Sequence, residues 1–226
     1  MPEHVVEFGK VGRPPEADGR LDAPAFHRNH APIWSALQPF LQGRSGDGLE
    51  LGSGTGQHAV AFAQSAPDIT WWPSDVNDKH LASIAAWRAY AQLANLRAPV
   101  RIDLLDPDWA SQLPGSPHQF LAVVCINVLH ISPWPVSQHL LAGAGRLLQQ
   151  DGRLFVYGPF MRYGVHTAPS NAAFDAGLRR DNPEWGVRDI ADIQAEAART
   201  GLALAGTIAM PANNFVLEFR RAPAHS

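Results

Sequence analysis

The feature that most constrains the fold is an alternation. From Asp47 onward, short apolar runs at 48–52, 69–73, 99–104, 120–127 and 153–158 are separated by helical patterns at 56–65, 77–96 and 133–149, and a further helical stretch follows at 188–200. Parallel strands need a crossover between them, and a helix is the usual one. The pattern therefore predicts an α/β chain with a doubly wound, mostly parallel sheet. The last two runs, 202–209 and 214–220, break the rule. Only "MPANN" joins them, too short for a crossover, so they pair as an antiparallel hairpin and bring the sheet to seven strands.

The helices carry local signals. A first helix is expected at 30–42, where Ile33, Leu37, Phe40 and Leu41 have helical spacing. In the stretch 77–96, Ala82, Ala86, Ala89, Leu93 and Leu96 line one face, and "SPW" at 132–134 reads as a Ser N-cap followed by Pro. Residues 1–24 are rich in Pro and Gly and predict an arm. Residues 159–187 form a long irregular insertion, of the kind that serves as a functional loop or lid.

Composition narrows the class. A chain of 226 residues with 46% hydrophobic and 17% charged residues suits one globular domain, here taken as 1–226 with 1–45 as arm and helix lid. A formal charge of −3 gives no pull toward nucleic acid or an anionic membrane. The first ten residues lack a secretory pattern, and the longest apolar run, 120–131, is too short for a bilayer and holds Asn127 and His130. The single cysteine, Cys125, excludes an intrachain disulfide. These readings predict a cytoplasmic protein, monomer or homodimer, with a small-molecule partner and neither nucleic acid nor membrane.

The stretch "LELGSGTGQHA", 49–59, ends a strand, turns through three glycines and opens a helix. A triphosphate loop needs G-x-x-x-x-G-K-[ST], and residues 49–63 contain no lysine. A dinucleotide fingerprint needs its third glycine at 57, which is Gln57. What remains is Glu50 followed by Gly52, Gly54 and Gly56, with Ser53 between them: an acid suited to an ammonium beside an open backbone. That chemistry fits the methionine half of S-adenosylmethionine. The alternative is a glycine turn used only for tight packing.

Further candidates lie at the strand ends, where open α/β sheets bind ligands. Asp75, 25 residues after Glu50, is placed either to grip ribose hydroxyls or to cap a helix. Asp103 is expected to accept from the adenine amino group, with Leu104 packing on the ring. Asn127 is a candidate for the cofactor or for the nucleophile's hydrogen, and His130 for a general base or a structural cap. Trp134, Tyr157, Phe160, Trp185 and Phe26 are candidates for an aromatic cage and acceptor pocket, with Tyr157 also a catalytic candidate. Trp71 and Trp72 are assigned to packing. His27, Arg28, Asn29 and His30 precede the expected first helix; Arg28 would meet the cofactor carboxylate or a substrate anion, or be a solvated helix start. His58 stays open between ligand contact and surface. Neither an H-x-x-x-H pair nor a cysteine cluster occurs, so no metal is expected.

Eight segments, "HRNHAPI", "SGTGQHA", "WPSD", "INVLHISPW", "YGPF", "SNAAFD", "NPEWGVRD" and "MPANN", fall in an order that resembles the methyltransferase-like family catalogued as domain of unknown function 938. The resemblance runs from Pro24 to Arg220. It implies the Rossmann-like class I methyltransferase fold, which also ends in such a hairpin, and S-adenosylmethionine as cofactor. Two positions depart from the family: Gly52 stands where Ala is frequent, and "APAFHRN" stands where "SPA" usually precedes the arginine. By the family motifs alone, Asn171, Arg179, Trp185, Arg188, Asn213 and Asn214 would line the acceptor pocket, with His27, Trp134 and Phe160 beside them. The expected function is S-adenosylmethionine-dependent methyl transfer to a metabolite or peptide. The alternatives are another reaction of that cofactor, such as intramolecular displacement, or a non-catalytic cofactor-binding protein.

Overall fold

In the computed structural model, which describes residues 16–115 and 119–222, the alternation folds as one sheet. The strands are β1 (Gly46–Leu51), β2 (Ile69–Asp75), β3 (Val100–Arg101), β4 (Phe120–Ile126), β5 (Leu148–Arg162), β6 (Val165–His166), β7 (Arg188–Asp189), β8 (Leu202–Met210) and β9 (Asn214–Arg221). The helices are α1 (Pro24–Leu41), α2 (Gln57–Ser65), α3 (Asp78–Ala91), α4 (Trp134–Leu147), α5 (Pro169–Asp181) and α6 (Ile190–Arg199). The strand order is β3-β2-β1-β4-β5-β9-β8. β1 to β5 run parallel, and β9 lies antiparallel between β5 and β8. The short strands β6 and β7 pair with the far end of β5.

The apolar run 120–126 is buried throughout because both faces of the sheet are covered. Successive side chains point to opposite faces. Val123 and Cys125 join Leu140, Val156 and Ile193 in one core, whereas Ala122, Val124 and Ile126 join Ile33, Leu37 and Phe155 in the other. α1 therefore closes the second layer together with α2. Trp71 is fully buried and Trp72 packs against the first core, as expected of packing residues.

Several local expectations are corrected. α1 begins at Pro24 rather than residue 30, because Pro24 supplies a preset first turn, so "HRNH" lies inside the helix. The expected arm lies outside the described residues as far as residue 15. Of the run 99–104, only two residues stay in the ladder; Asp103 and Asp106 bend the chain by accepting from the backbone N–H groups of Leu105 and Asp108. α3 buries His80, Ser83 and Ile84 instead of the alanine face, and it ends at Ala91, before Leu93 and Leu96. Ser132 is not the cap of α4: its hydroxyl donates to the Val128 carbonyl, and Pro133 occupies the cap position. The segment 159–187 is largely regular: it holds the end of β5, then β6 and α5. Among the described residues, no helix is long and apolar enough to cross a membrane.

Candidate active site

β1 delivers the glycine loop to the carboxyl edge of the sheet, and the loop is held from beneath. Ser53 N–H donates to the Ser74 carbonyl at 2.7 Å, and Gly54 N–H to Asp75 Oδ2 at 2.9 Å. Ser74 Oγ donates to the Glu50 carbonyl at 2.7 Å. Gly52 has φ +70°, and a Cβ there would lie 2.6 Å from Val128 Cγ2. Gly56 has φ +91°, caps α2, and approaches the Ile84 backbone so closely that a Cβ would lie 2.9 Å from its Cα. Only glycine meets both conditions. Below the loop, Gln57 Oε1 accepts from Ala23 N–H at 2.8 Å and from the Thr55 hydroxyl at 2.9 Å.

Glu50 sits fully inside this frame, and its Oε2 is buried without a hydrogen-bond partner. Burial pushes its carboxyl up to about 8, with the nearby Asp75 adding to the rise and Ser53 opposing it. A buried, unsatisfied carboxyl oxygen two residues before an open glycine loop fits an ammonium group.

Asp75 ends β2. Its Oδ1 accepts from Asn77 N–H at 2.9 Å and faces His80 Nδ1 at 3.2 Å, while Oδ2 braces Gly54. The cap of α3 is Asn77 instead, accepting from Lys79 N–H. Asp75 thus braces the loop and retains one lone pair of Oδ2 for a ligand hydroxyl. Asp103 Oδ1 accepts from Leu105 N–H. Leu104, expected on an adenine ring, is instead buried in the core; the exposed apolar side chains at these strand ends are Leu105 and Val76.

A second cluster joins three elements. Asn29 of α1 is buried; its Oδ1 meets His58 Nε2 of α2 at 3.0 Å, and its side chain lies near enough to the Tyr157 phenol of β5 to lower it. Phe26 stacks on His30, ring centroids 4.6 Å apart, and meets His58 edge-on at 5.0 Å. Burial drives His58 down to about 3, with His30 contributing, so the ring is neutral and not a surface group. Burial raises the Tyr157 phenol, opposed by the Asn29 side chain and the Arg28 charge. Arg28 is exposed on α1, and His27 points to Asp22 at 2.6 Å.

Asn127 and His130 meet beyond β4. Asn127 adopts φ +59° and donates its N–H to the Tyr157 carbonyl at 2.9 Å. A Cβ at Gly158 would lie 3.4 Å from His130 Nδ1 and 4.0 Å from Asn127 Oδ1, ordinary contact distances, so the glycine leaves a slot of about one methyl group beside both. Burial lowers His130 to about 4, and Arg188 lowers it further. The expectation of a histidine tuned to neutral pH is corrected: the ring stays uncharged at neutral pH and is a weak base.

The expected acceptor residues divide. Asn171 and Asn213 come together, Asn171 Nδ2 donating to the Asn213 carbonyl at 3.0 Å. Asn214 only caps its own turn, through Pro211 and Ala212. Phe160 is buried in the core. Trp134 and Arg188 line a separate groove of about 490 Å³ beside α6, with Met161 and Arg199. Arg179 is taken up by Asp175, and Trp185 is half-buried in the turn 182–185. Phe174, not anticipated, meets the His130 ring edge-on at 5.5 Å; its only sequence signal was its place in "SNAAFD". Gln57, Ser74 and His80 were likewise missed, since their roles appear only when separate strand ends meet. No group of three His, Cys, Asp or Glu suited to a metal occurs among the described residues.

The comparisons match this geometry. The chain is 26% identical over 168 residues to a tRNA (guanine-N(7)-)-methyltransferase of Granulibacter bethesdensis, covering 74% of this chain and 57% of that one. An O-methyltransferase family protein from Burkholderia thailandensis superposes with a TM-score of 0.68 at 16% identity, over 87% of this chain and 59% of the other. CalO1, a methyltransferase of calicheamicin biosynthesis with S-adenosylhomocysteine bound, gives 0.63 at 17% identity, over 85% and 55%. The chain spans little more than half the length of each of these proteins. The fold is that of the class I methyltransferases, as expected. A family profile covers residues 20–221, and by that match the chain belongs to the family described as protein of unknown function (DUF938).

Proposed function

We propose that this protein is a cytoplasmic S-adenosylmethionine-dependent methyltransferase acting on a small-molecule acceptor by in-line transfer. The observation that carries the reading is Glu50 Oε2, buried and unpartnered at a glycine loop that offers no lysine for phosphate. S-adenosylmethionine, when bound, supplies an activated methyl group and an ammonium that this carboxylate would receive. Asp75 would take a ribose hydroxyl on its remaining lone pair, Asp103 the adenine amino group, and Leu105 with Val76 the ring faces. The Asn29 bond to His58 links α1 to α2 beside the Tyr157 phenol, and α1 held there would help to exclude water.

The chain's task is chiefly alignment. Asn127 and His130, on either side of the Gly158 slot, would orient an acceptor through neutral hydrogen bonds. A ring held at about 4 takes up a proton poorly, which favours acceptors that bring an available lone pair. The net charge of −3 supports a small molecule over nucleic acid. The kinship to a tRNA methyltransferase supports a second reading, a guanine base as acceptor.

Calorimetry with S-adenosylmethionine and S-adenosylhomocysteine tests the cofactor, and silence with both at millimolar concentration refutes the proposal. Incubation with a metabolite extract and, separately, with bulk tRNA, read by mass spectrometry for one added methyl group, chooses between the acceptors.

A further inference from the structure

Arg188 was expected to meet substrate, yet its guanidinium is spent on the chain. Nε donates to the Leu129 carbonyl at 3.2 Å, and Nη2 donates to the Ser132 carbonyl at 2.5 Å and to the Glu184 carbonyl at 2.9 Å. Leu129 and Ser132 flank His130 in a single tight turn. In the same segment as Arg188, Gly186 N–H donates to the His130 carbonyl at 3.0 Å. The turn is therefore gripped by 184–188, while Phe174 covers the ring edge-on and the Gly158 slot lies beside Nδ1.

We propose that Arg188 is a positioning residue: its guanidinium, bonded to carbonyls on both sides of His130, fixes that ring beside Gly158 and sets a fixed charge against the same turn. This rests on the reading that His130 faces the acceptor. The fixed charge is itself braced. Asp175, buried on α5, accepts from Arg179 Nε at 3.0 Å and from Val187 N–H at 2.7 Å, and faces His166 Nε2 at 3.4 Å. Arg179, Asp175, His166, Glu184 and Asp189 lie around Arg188, with Asp192, Glu196 and Arg199 lining the groove beside it, and Arg188 acts on His130 directly, in the same direction as burial. A guanidinium suits the task because its planar fork reaches several carbonyls while remaining charged at every physiological pH.

The test is an NMR titration of the His130 ring in the free protein, with its signal assigned by loss in His130→Gln. In the unsubstituted protein the ring stays neutral until pH falls to about 4. Arg188→Met should raise the midpoint by about one pH unit, a tenfold change in proton affinity. Arg188→Lys keeps the charge, loses the fork, and should stay within a few tenths of the unsubstituted value. Unchanged midpoints in both variants overturn the proposal, as does an equal rise in both, which assigns the effect to loop packing. No cofactor is needed, so the two failures are distinguishable: a chain that binds no S-adenosylmethionine would refute the proposed function, whereas only the titration decides whether Arg188 acts on His130.

Discussion

Replacing Glu50 with Gln separates what the fold wants from what the ligand wants. In the unfolded chain a glutamic acid titrates near about 4.3, and in the folded protein burial holds Glu50 at about 8. Between those values the folded state keeps a proton that the unfolded state has released. A raised carboxyl contributes stability that is fully present below the unfolded value and is lost as pH climbs to the folded one. The slope is up to about 1.4 kcal/mol per pH unit, and the loss accumulated by pH 7 is about 3 to 4 kcal/mol. That is a large part of a typical domain's total of about 5–15 kcal/mol. Gln carries the same shape without the titration. Glu50→Gln should therefore be more stable than the unsubstituted protein at pH 7 to 8, by up to a few kcal/mol, and no more stable at pH 4. Its stability should also vary less with pH. Its affinity for S-adenosylhomocysteine should fall about 10- to 100-fold, the worth of a charge-assisted bond of about 1.5–3 kcal/mol. Urea denaturation at pH 4, 5.5, 7 and 8, paired with calorimetry, reads both. Parallel stability curves for the two proteins would refute the reasoning, because they would mean that Glu50 ionises in the fold as freely as in water.

Two other substitutions probe the frame. Gly52→Ala forces a side chain into φ +70° and within 2.6 Å of Val128. It should cost about 1–3 kcal/mol and lower the melting temperature by several degrees; an unchanged melting temperature would show that Val128 and the loop yield to the added methyl. Asn29→Ala strips His58 of its hydrogen-bond partner and removes the amide that lowers the Tyr157 phenol. A loss of about 1–3 kcal/mol is expected in thermal denaturation, with the Tyr157 phenol titrating at still higher pH by ultraviolet absorbance, and no change in either measure would show that the link carries nothing.

The parts legible in the sequence are those with a local cause. Period and punctuation revealed the parallel strands, the closing hairpin and the glycine loop, because each depends on neighbours within a few residues. The failures share the opposite cause. Leu104 and Leu105 are adjacent apolar residues, and only the bend made by Asp103 decides which one enters the core. Segment 159–187 was read as irregular although α5 lies within it; its mean hydrophobic content is low, and α5 buries only Asn171, Asp175 and Leu178. Arg188 looked like a ligand residue because arginine often is one, and two of its three carbonyl acceptors lie 56 and 59 residues away in sequence. Asn29 was grouped with its chain neighbours His27, Arg28 and His30, and the bond that joins it to His58 across 29 residues has no sequence signature.

The position of β9 also bears on how the sheet comes into being. β9 fills an interior slot between β5 and β8, and β8 has no other neighbour in the sheet. During synthesis β5 and β8 both precede it, so the edge of β5 stays open and β8 stays unpaired until residues 214–221 emerge. Bare strand edges are templates for wrong pairing, and contacts that close late leave a nascent chain exposed. The half of the sheet that holds Gly158 is therefore the half that matures last, and a ribosome that stalls before residue 214 leaves a chain with the glycine loop's strands in place and the Gly158 strand beside His130 without its partner.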